Sequence, residues 1–398
     1  MRFAGRMDRL GTESAFEVLA RARRLEQDGR TVVHLEIGEP DFATPEPIIA
    51  AAERALRGGA THYTPAAGLP EVRAAIAEAV GRRGGRSVDP AEVVVVPGSK
   101  NILAFALLAL IEPGDEVIIP DPGYPIYRSL VEFIGAVARP LVLREANDFR
   151  LDPEELAHLI GPRTRMLILN SPHNPTGGVC TASDLDAVAE LVCRHDLTVV
   201  SDEIYHRIAF EPQPAPLWSR PELADRTVVL DGLSKTYAMC GWRLGYGVMP
   251  VELARRMEVL LINSSSCAAA FTQLAAVEAL TSPAAEAAVE QMVREFRRRR
   301  DLLVAGLERL PGVRCRRPAG SFYAFPNVEG TGWEGRALAD RLLHQAGVAV
   351  LAGEAFGPAG RGHLRLAYTV GVEQLQDALE RIGGFLASSP VPEPAAAS

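Results

Sequence analysis

The sequence predicts an α/β protein, with a mostly parallel sheet in a large domain and a smaller α+β domain after it. Three observations carry that prediction. Runs rich in Val and Ile recur between turn residues, helical stretches fall between those runs, and the pattern changes after about Thr281. Continuous apolar runs of this kind read as strands covered on both faces, as in parallel sheets. Strand–helix alternation is the α/β signature. At 398 residues the chain exceeds the size at which one core stops growing, so two domains are expected.

The strands are taken in chain order. Val93–Val96 is stopped by Pro97-Gly98, and Glu116–Ile119 by Pro120-Asp121-Pro122-Gly123. Arg165–Leu169 precedes Asn170, Leu197–Val200 precedes Ser201-Asp202, and Thr227–Leu230 precedes Asp231-Gly232. Between them, Ser99–Ile111 and Ser183–Arg194 have helical patterning; Ser183 is the expected cap of the second, with Asp184 in its first turn. A charged helix is expected from about Thr281 to Leu310. A strand-like piece, Gly320–Phe325, a short run, Val348–Leu351, a strand at His363–Tyr368 and a last helix follow. The predicted division is an N-terminal arm with part of the small domain (1–45), a large domain (46–285), a small C-terminal domain (286–387) and a disordered Pro/Ala/Ser-rich tail (388–398).

Bulk composition excludes several classes. The net charge is −8, from 42 basic and 50 acidic residues, which argues against a nucleic-acid surface with its need for a basic face. The one basic run, Arg297 to Arg300 after Arg294, reads as a solvated helix face among Glu295 and Asp301. Five cysteines, an odd number with no CxxC pair, argue against a disulfide framework or a zinc site and fit a reducing cytosol. The opening MRFAGRMDRL lacks the apolar core of a signal peptide, and the longest apolar run, Ile102–Ile111, is too short to cross a bilayer. The expectation is a cytoplasmic protein with no nucleic-acid, membrane or metal partner.

Chemistry is expected where polar residues interrupt the sheet. Asn174 (SPHNPTGG), Asp202 (VVSDEIY) and Lys235 (VVLDGLSK) follow three successive buried strands. Ligands of parallel sheets sit beyond the carboxyl ends of the strands, so an amide, a carboxylate and an amine are predicted to meet in one crevice. Gly98-Ser99-Lys100 lies between a strand and a helix, where free N–H groups and the helix dipole suit a phosphate. Arg243, in GWRLGY, could add a bidentate fork to the same anion.

With these motifs in view, the sequence resembles the class I/II aminotransferases of pyridoxal-phosphate (PLP) fold type I, in the aspartate-aminotransferase-like branch. IGEPDF, HYTPAAGLPEVR, SPHNPTGG, SDEIY, SKTYAMCGWRLGY and LRLAY carry the resemblance in order, from about residue 10 to 385. It implies pyridoxal 5'-phosphate as cofactor, held by Lys235 as a Schiff base, with residues 46–285 as its binding domain. It further implies that Asp202 pairs with the pyridine nitrogen and that Asn174 and Tyr205 bond the ring hydroxyl. Tyr124 is implied to stack on the ring, while the Ser99 and Lys100 amides, Arg243 and the hydroxyl of Ser234 hold the phosphate. Arg365, with the Gly38 backbone and Asn174, is the implied seat of the substrate α-carboxylate. Tyr63 is implied to reach a second subunit's phosphate, which makes the protein a homodimer with shared sites. Two positions depart from the pattern: Gly232 stands where many relatives have a phosphate-binding serine, and Tyr124 where aspartate-specific relatives have Trp.

The roles have physical requirements. An amine of ordinary pKa, about 10.4, is protonated at neutral pH, so Lys235 needs burial or conjugation to act. A buried Asp202 carboxylate keeps a facing ring nitrogen protonated, which makes the cofactor an electron sink. Arg365 matches a carboxylate in a way that lysine does not. The implied reaction is a ping-pong transamination between an amino acid donor and a 2-oxo acid acceptor, with Lys235, Asp202 and Tyr205 as catalytic residues. An acidic donor is slightly favoured because Lys100 can face its side chain. A PLP-dependent lyase or oxidase-like enzyme is the first alternative, and a non-catalytic PLP-binding sensor the second.

Overall fold

A computed structural model describes residues 1–388. Its central element is a seven-stranded sheet of β1 (Val93–Val96), β2 (Glu116–Asp121), β3 (Val137–Val142), β4 (Thr164–Asn170), β5 (Thr198–Asp202), β6 (Thr227–Gly232) and β7 (Gly245–Val248), in the order β1-β7-β6-β5-β4-β2-β3. All neighbours are parallel except those of β7, which is antiparallel to β1 and β6. Every residue of β1, β2, β6 and β7 is buried, which is why those sequences lack alternation.

Two of these strands were not expected from the sequence. β3 reads VARPLV and is an edge strand with Val137 exposed; an edge is where a strand tolerates Pro140. β7 reads GYGV, and its glycines are the reason it fits. A Cβ on Gly245 would lie 2.3 Å from the Ser99 amide nitrogen, and one on Gly247 2.9 Å from the Ile102 side chain. Absent side chains let the segment leading into the next helix lie against the sheet, at the cost of the strand's apolar signature.

That helix, α2 (Lys100–Leu110), is preceded in the chain by α1 (Ser14–Gln27). Ile102, Leu103, Phe105, Ala106 and Leu107 of α2 are buried, so its apolar run is a core helix. The next named helix, α3 (Ala182–Arg194), corrects the expected cap. Thr181, not Ser183, takes the Asp184 amide at 3.2 Å, while the Asp184 carboxylate takes the Thr181 amide at 2.8 Å. Lys235 lies in the four-residue α4 (Leu233–Thr236), directly after β6.

The long helix α5 (Pro283–Leu307) corrects the reading of the basic run. Arg298 is exposed and paired with Glu295, but Arg299 and Arg300 are 6% and 1% exposed. Arg299 bonds Asp41 at 2.7 Å and Glu295 at 3.1 Å. Arg300 bonds the Pro318 carbonyl at 3.0 Å, pairs with Asp301 and lies 4.5 Å from the Phe210 ring centre. Arg297 bonds the Phe210 carbonyl. Three of the four arginines therefore tie α5 to distant segments, and a buried guanidinium needs such partners to offset lost hydration.

The remaining strands are short. Val33–His34 pairs in parallel with Val348–Ala349, and Leu364–Ala367 lies between Leu351–Ala352 and Tyr323–Ala324. One apolar cluster joins Val33 and Leu35 to Phe296, Phe322, Val348, Leu366 and the final helix α6 (Val372–Ser388), while separate clusters line the two faces of the large sheet. Ser388 closes α6; the rest of the expected tail, 389–398, lies outside the described residues. No described helix is long and apolar enough to cross a membrane.

Candidate active site

A cavity of about 520 Å³ opens beyond the carboxyl ends of β4, β5 and β6. It gathers Gly38, Ser99, Lys100, Tyr124, Asn174, Asp202, Tyr205, Ser234, Lys235, Arg243 and Arg365. Of the residues expected at the site, Tyr63 alone lies apart.

Asp202 is the last residue of β5. Its Oδ2 accepts the Tyr127 hydroxyl at 2.6 Å and its Oδ1 the Ile204 amide at 3.2 Å. Full burial pushes the carboxyl up to about 6, against the pull of those two donors. Asn170, at the end of β4, donates to the Asp202 carbonyl at 3.0 Å and accepts the Asn174 amide at 2.9 Å. One side chain thus joins two neighbouring strand ends and sets Asn174 beside Asp202.

The Lys235 amine donates to the Gly38 carbonyl at 2.6 Å and lies 3.5 Å from Cys240 Sγ, which itself donates to the Ser234 carbonyl at 3.2 Å. Arg365, on the strand Leu364–Ala367, is 4% exposed. It donates to Asn174 Oδ1 at 3.3 Å and to the Glu36 carbonyl, with its guanidinium 4.4 Å from the Tyr323 ring centre and 4.8 Å from that of Phe356. Its Nε is buried without a partner among the described residues. Tyr205 shares a hydrogen bond of 3.0 Å with the Tyr323 hydroxyl, and burial holds its phenol well above the usual range.

The expected phosphate cradle is a close meeting of backbone and guanidinium. Gly98 has φ +84°, and a Cβ there would lie 2.2 Å from a terminal nitrogen of Arg243. Ser99 makes no side-chain cap bond to α2, so its hydroxyl is not spent on the helix. Arg243 adopts a left-handed φ of +56° and donates to the Cys240 carbonyl at 2.8 Å.

Sequence reasoning missed Glu13, Tyr127, Cys240 and Tyr323 in this cavity. Tyr127 had a signal: it follows Tyr124 by three residues in the helix Pro125–Phe133, one turn along the same face. Glu13 had none. It pairs with Lys100 and accepts the Tyr124 hydroxyl at 2.8 Å, across 87 and 111 residues of chain.

Tyr63 is 87% exposed and lines a separate surface depression with His62 and Cys267. The two histidines beside the motifs take other places. His173 is buried outside the cavity, bonds Thr176 at 2.8 Å and is lowered to about 3 by burial. His206 faces Asp231 at 3.1 Å. Trp218 is a buried anchor whose indole N–H reaches Glu203 at 2.9 Å.

Comparison with known proteins shows what the chain is similar to. The family model described as aminotransferase class I and II matches residues 30–382. An arginine–pyruvate transaminase of Pseudomonas aeruginosa is 42% identical over 93% of both chains. An aspartate/prephenate aminotransferase of Thermus thermophilus is 40% identical over 96% of this chain and 98% of its own. The structure of the Thermus thermophilus aspartate aminotransferase with maleate superposes with a TM-score of 0.93 at 39% identity, covering 96% of this chain and all of that one. An alanine aminotransferase of Pyrococcus furiosus superposes with a TM-score of 0.92 at 31% identity, covering 98% of this chain and 100% of that one.

Proposed function

The chain belongs to the class I and II aminotransferases and has the fold of their aspartate-aminotransferase-like branch, and from that premise we propose that it moves an amino group from an acidic L-amino acid to a 2-oxo acid, using pyridoxal 5'-phosphate in the cavity around Lys235. The observation that carries this reading is the meeting of Asn174, Asp202 and Lys235, from three successive strand ends, in one cavity. Bound there, the cofactor supplies an electron sink for charge that develops at the donor Cα.

The residues fit that group. Asp202 is a buried carboxylate with two donors and, among the described residues, no cation, which a protonated pyridine nitrogen would supply. The Gly98–Ser99 turn, the start of α2 and Arg243 make an anion cradle that a Cβ at Gly98 would obstruct. Ser234 stands beside it in α4, and Asn174 and Tyr205 offer hydrogen bonds to a ring hydroxyl. Arg365 presents a fork with one unpartnered nitrogen to a substrate α-carboxylate near the Gly38 backbone.

The chain's own groups then do the proton work. The Lys235 amine, held on the Gly38 carbonyl, is the base that takes the Cα proton at its Nζ. Asp202 holds positive charge on the facing nitrogen, and Arg365 orients the donor. The Lys100 ammonium in the cavity wall supports an acidic donor, and so does the name of the aspartate/prephenate aminotransferase relative.

The reading includes a homodimer in which Tyr63 completes the partner's phosphate site; its exposure beside Cys267 supports that role. It also includes a cytoplasmic location and the division into domains at 46–285 and 286–387.

Lys235→Ala should abolish transamination and the absorbance band of the Schiff base; a mutant that transaminates normally refutes the mechanism. Given an amino acid and no oxo acid, the wild type should stop after one equivalent. Continued turnover would mark a lyase or an oxidase instead.

A further inference from the structure

Lys100, offered above to the donor, and the hydroxyl of Tyr124, the expected ring-stacking residue, are already taken. The Lys100 ammonium is paired with Glu13, and the Tyr124 hydroxyl donates to the same Glu13 oxygen at 2.8 Å. Glu13 is the N-cap residue of α1, yet its side chain makes no cap bond to that helix. An acid at a helix N-terminus ordinarily gains from the free N–H groups there. Here the carboxylate turns to Lys100 and Tyr124 in the cavity wall instead. Ala15 and Phe16, the next residues of α1, line the same cavity, so the start of this helix forms one of its walls.

We propose that Glu13 is an internal stand-in for the side-chain carboxylate of an acidic donor, holding Lys100 and the Tyr124 hydroxyl until such a donor displaces it. The proposal rests on the acidic-donor reading given above and adds a residue that sets specificity. One ammonium and one hydroxyl cannot fully serve two carboxylates, and two anions side by side repel. An acidic donor therefore gains the Lys100 contact only by breaking the Glu13 contact, while a donor with a neutral side chain has nothing to displace. Glu13 in this way lowers the advantage of acidic over neutral donors and widens the range of amino acids the site accepts.

The Lys100 side chain is 50% exposed and that of Glu13 17%, so the pair is partly screened by water. An ion pair of this kind contributes up to about 1 kcal/mol, so its removal changes affinity by roughly three- to fivefold. The test uses the holoenzyme with succinate, a dicarboxylate that cannot be transaminated, and butyrate, its monocarboxylate counterpart in length, as competitive inhibitors. Glu13→Gln should lower the succinate inhibition constant by about three- to fivefold relative to the butyrate constant. The gain should vanish when Glu13→Gln is made on a Lys100→Gln background, because the competition is then gone; a purely structural role for Glu13 would not depend on Lys100. An unchanged or raised succinate constant in Glu13→Gln, with succinate still bound, overturns the proposal alone. Absence of succinate inhibition in wild type and variant alike overturns it together with the acidic-donor reading.

Discussion

A carboxylate buried without a cation weakens the fold that holds it, and among the described residues Asp202 is such a group. Its carboxyl is raised to about 6 from an ordinary value near 3.8, mainly by burial. Between those two pH values the folded chain binds more protons than the unfolded one, so in the cofactor-free protein this residue's contribution to stability falls as pH rises from about 4 to 6. Melting temperatures of cofactor-free wild type and Asp202→Asn across that interval should converge toward low pH and separate above it, with the wild type losing more. Parallel curves would show that the carboxylate already has a compensating partner. The same residue shows what a sequence reveals at this scale. Asp202, Asn174 and Lys235 were legible because each breaks an apolar run at a strand end, where polar groups need a reason. Glu13 and Tyr323 were not, since each acquires its meaning from a partner more than a hundred residues away or nearly so: Tyr124 and Lys100 for the first, Tyr205 for the second.

Local rules decide elements until packing overrides them. The helix α3 begins one residue earlier than its patterning suggested because Thr181 and Asp184 cap each other, with Asp184 further held by Arg150 at 2.8 and 2.9 Å. Thr181→Ala should cost about 1 kcal/mol, the usual worth of an N-cap, while Ser183→Ala should cost far less; chemical denaturation of both variants checks the assignment. The basic run of α5 misled for the opposite reason. Its charge pattern is that of a solvated face, but Asp41, Phe210 and Pro318, which surround it, come from elsewhere in the chain. The strand Val33–His34 offers a pH-dependent element. His34 bonds Glu36 at 2.8 Å and Glu26 at 3.1 Å, and its hydrogen bond to Glu36 leads in raising it to about 9 against the cost of burial. A raised histidine stabilises most fully below its unfolded value near 6.5, and that gain is lost as pH climbs through about 9. Unfolding free energy should therefore fall across this window in the wild type and stay flatter in His34→Gln. Equal slopes would remove His34 as the cause.

The whole molecule combines a sheet whose strand ends collect the polar groups with a second core that brings Arg365 to them. Most of the sheet was legible because both-face burial writes continuous apolar runs; β3 and β7 were not, one being an edge and the other thinned to glycine so that Ser99 and Ile102 can approach. Tyr63 is the residue that the proposed dimer would use beyond its own chain. It is exposed and lies away from the cavity, and the two-fold dimer proposed above would carry it to the other subunit. If the sites are shared, Tyr63→Ala and Lys235→Ala damage the same site when they lie on opposite chains of a dimer. A hybrid of the two variants then has one site with both defects and one with neither. Unfolding and refolding an equal mixture should place about half the dimers in the hybrid form and restore about a quarter of wild-type activity, well above the mean of the two parents. Activity that stays at the parental mean would show that Tyr63 serves its own chain or none, and the shared-site dimer would have to be given up.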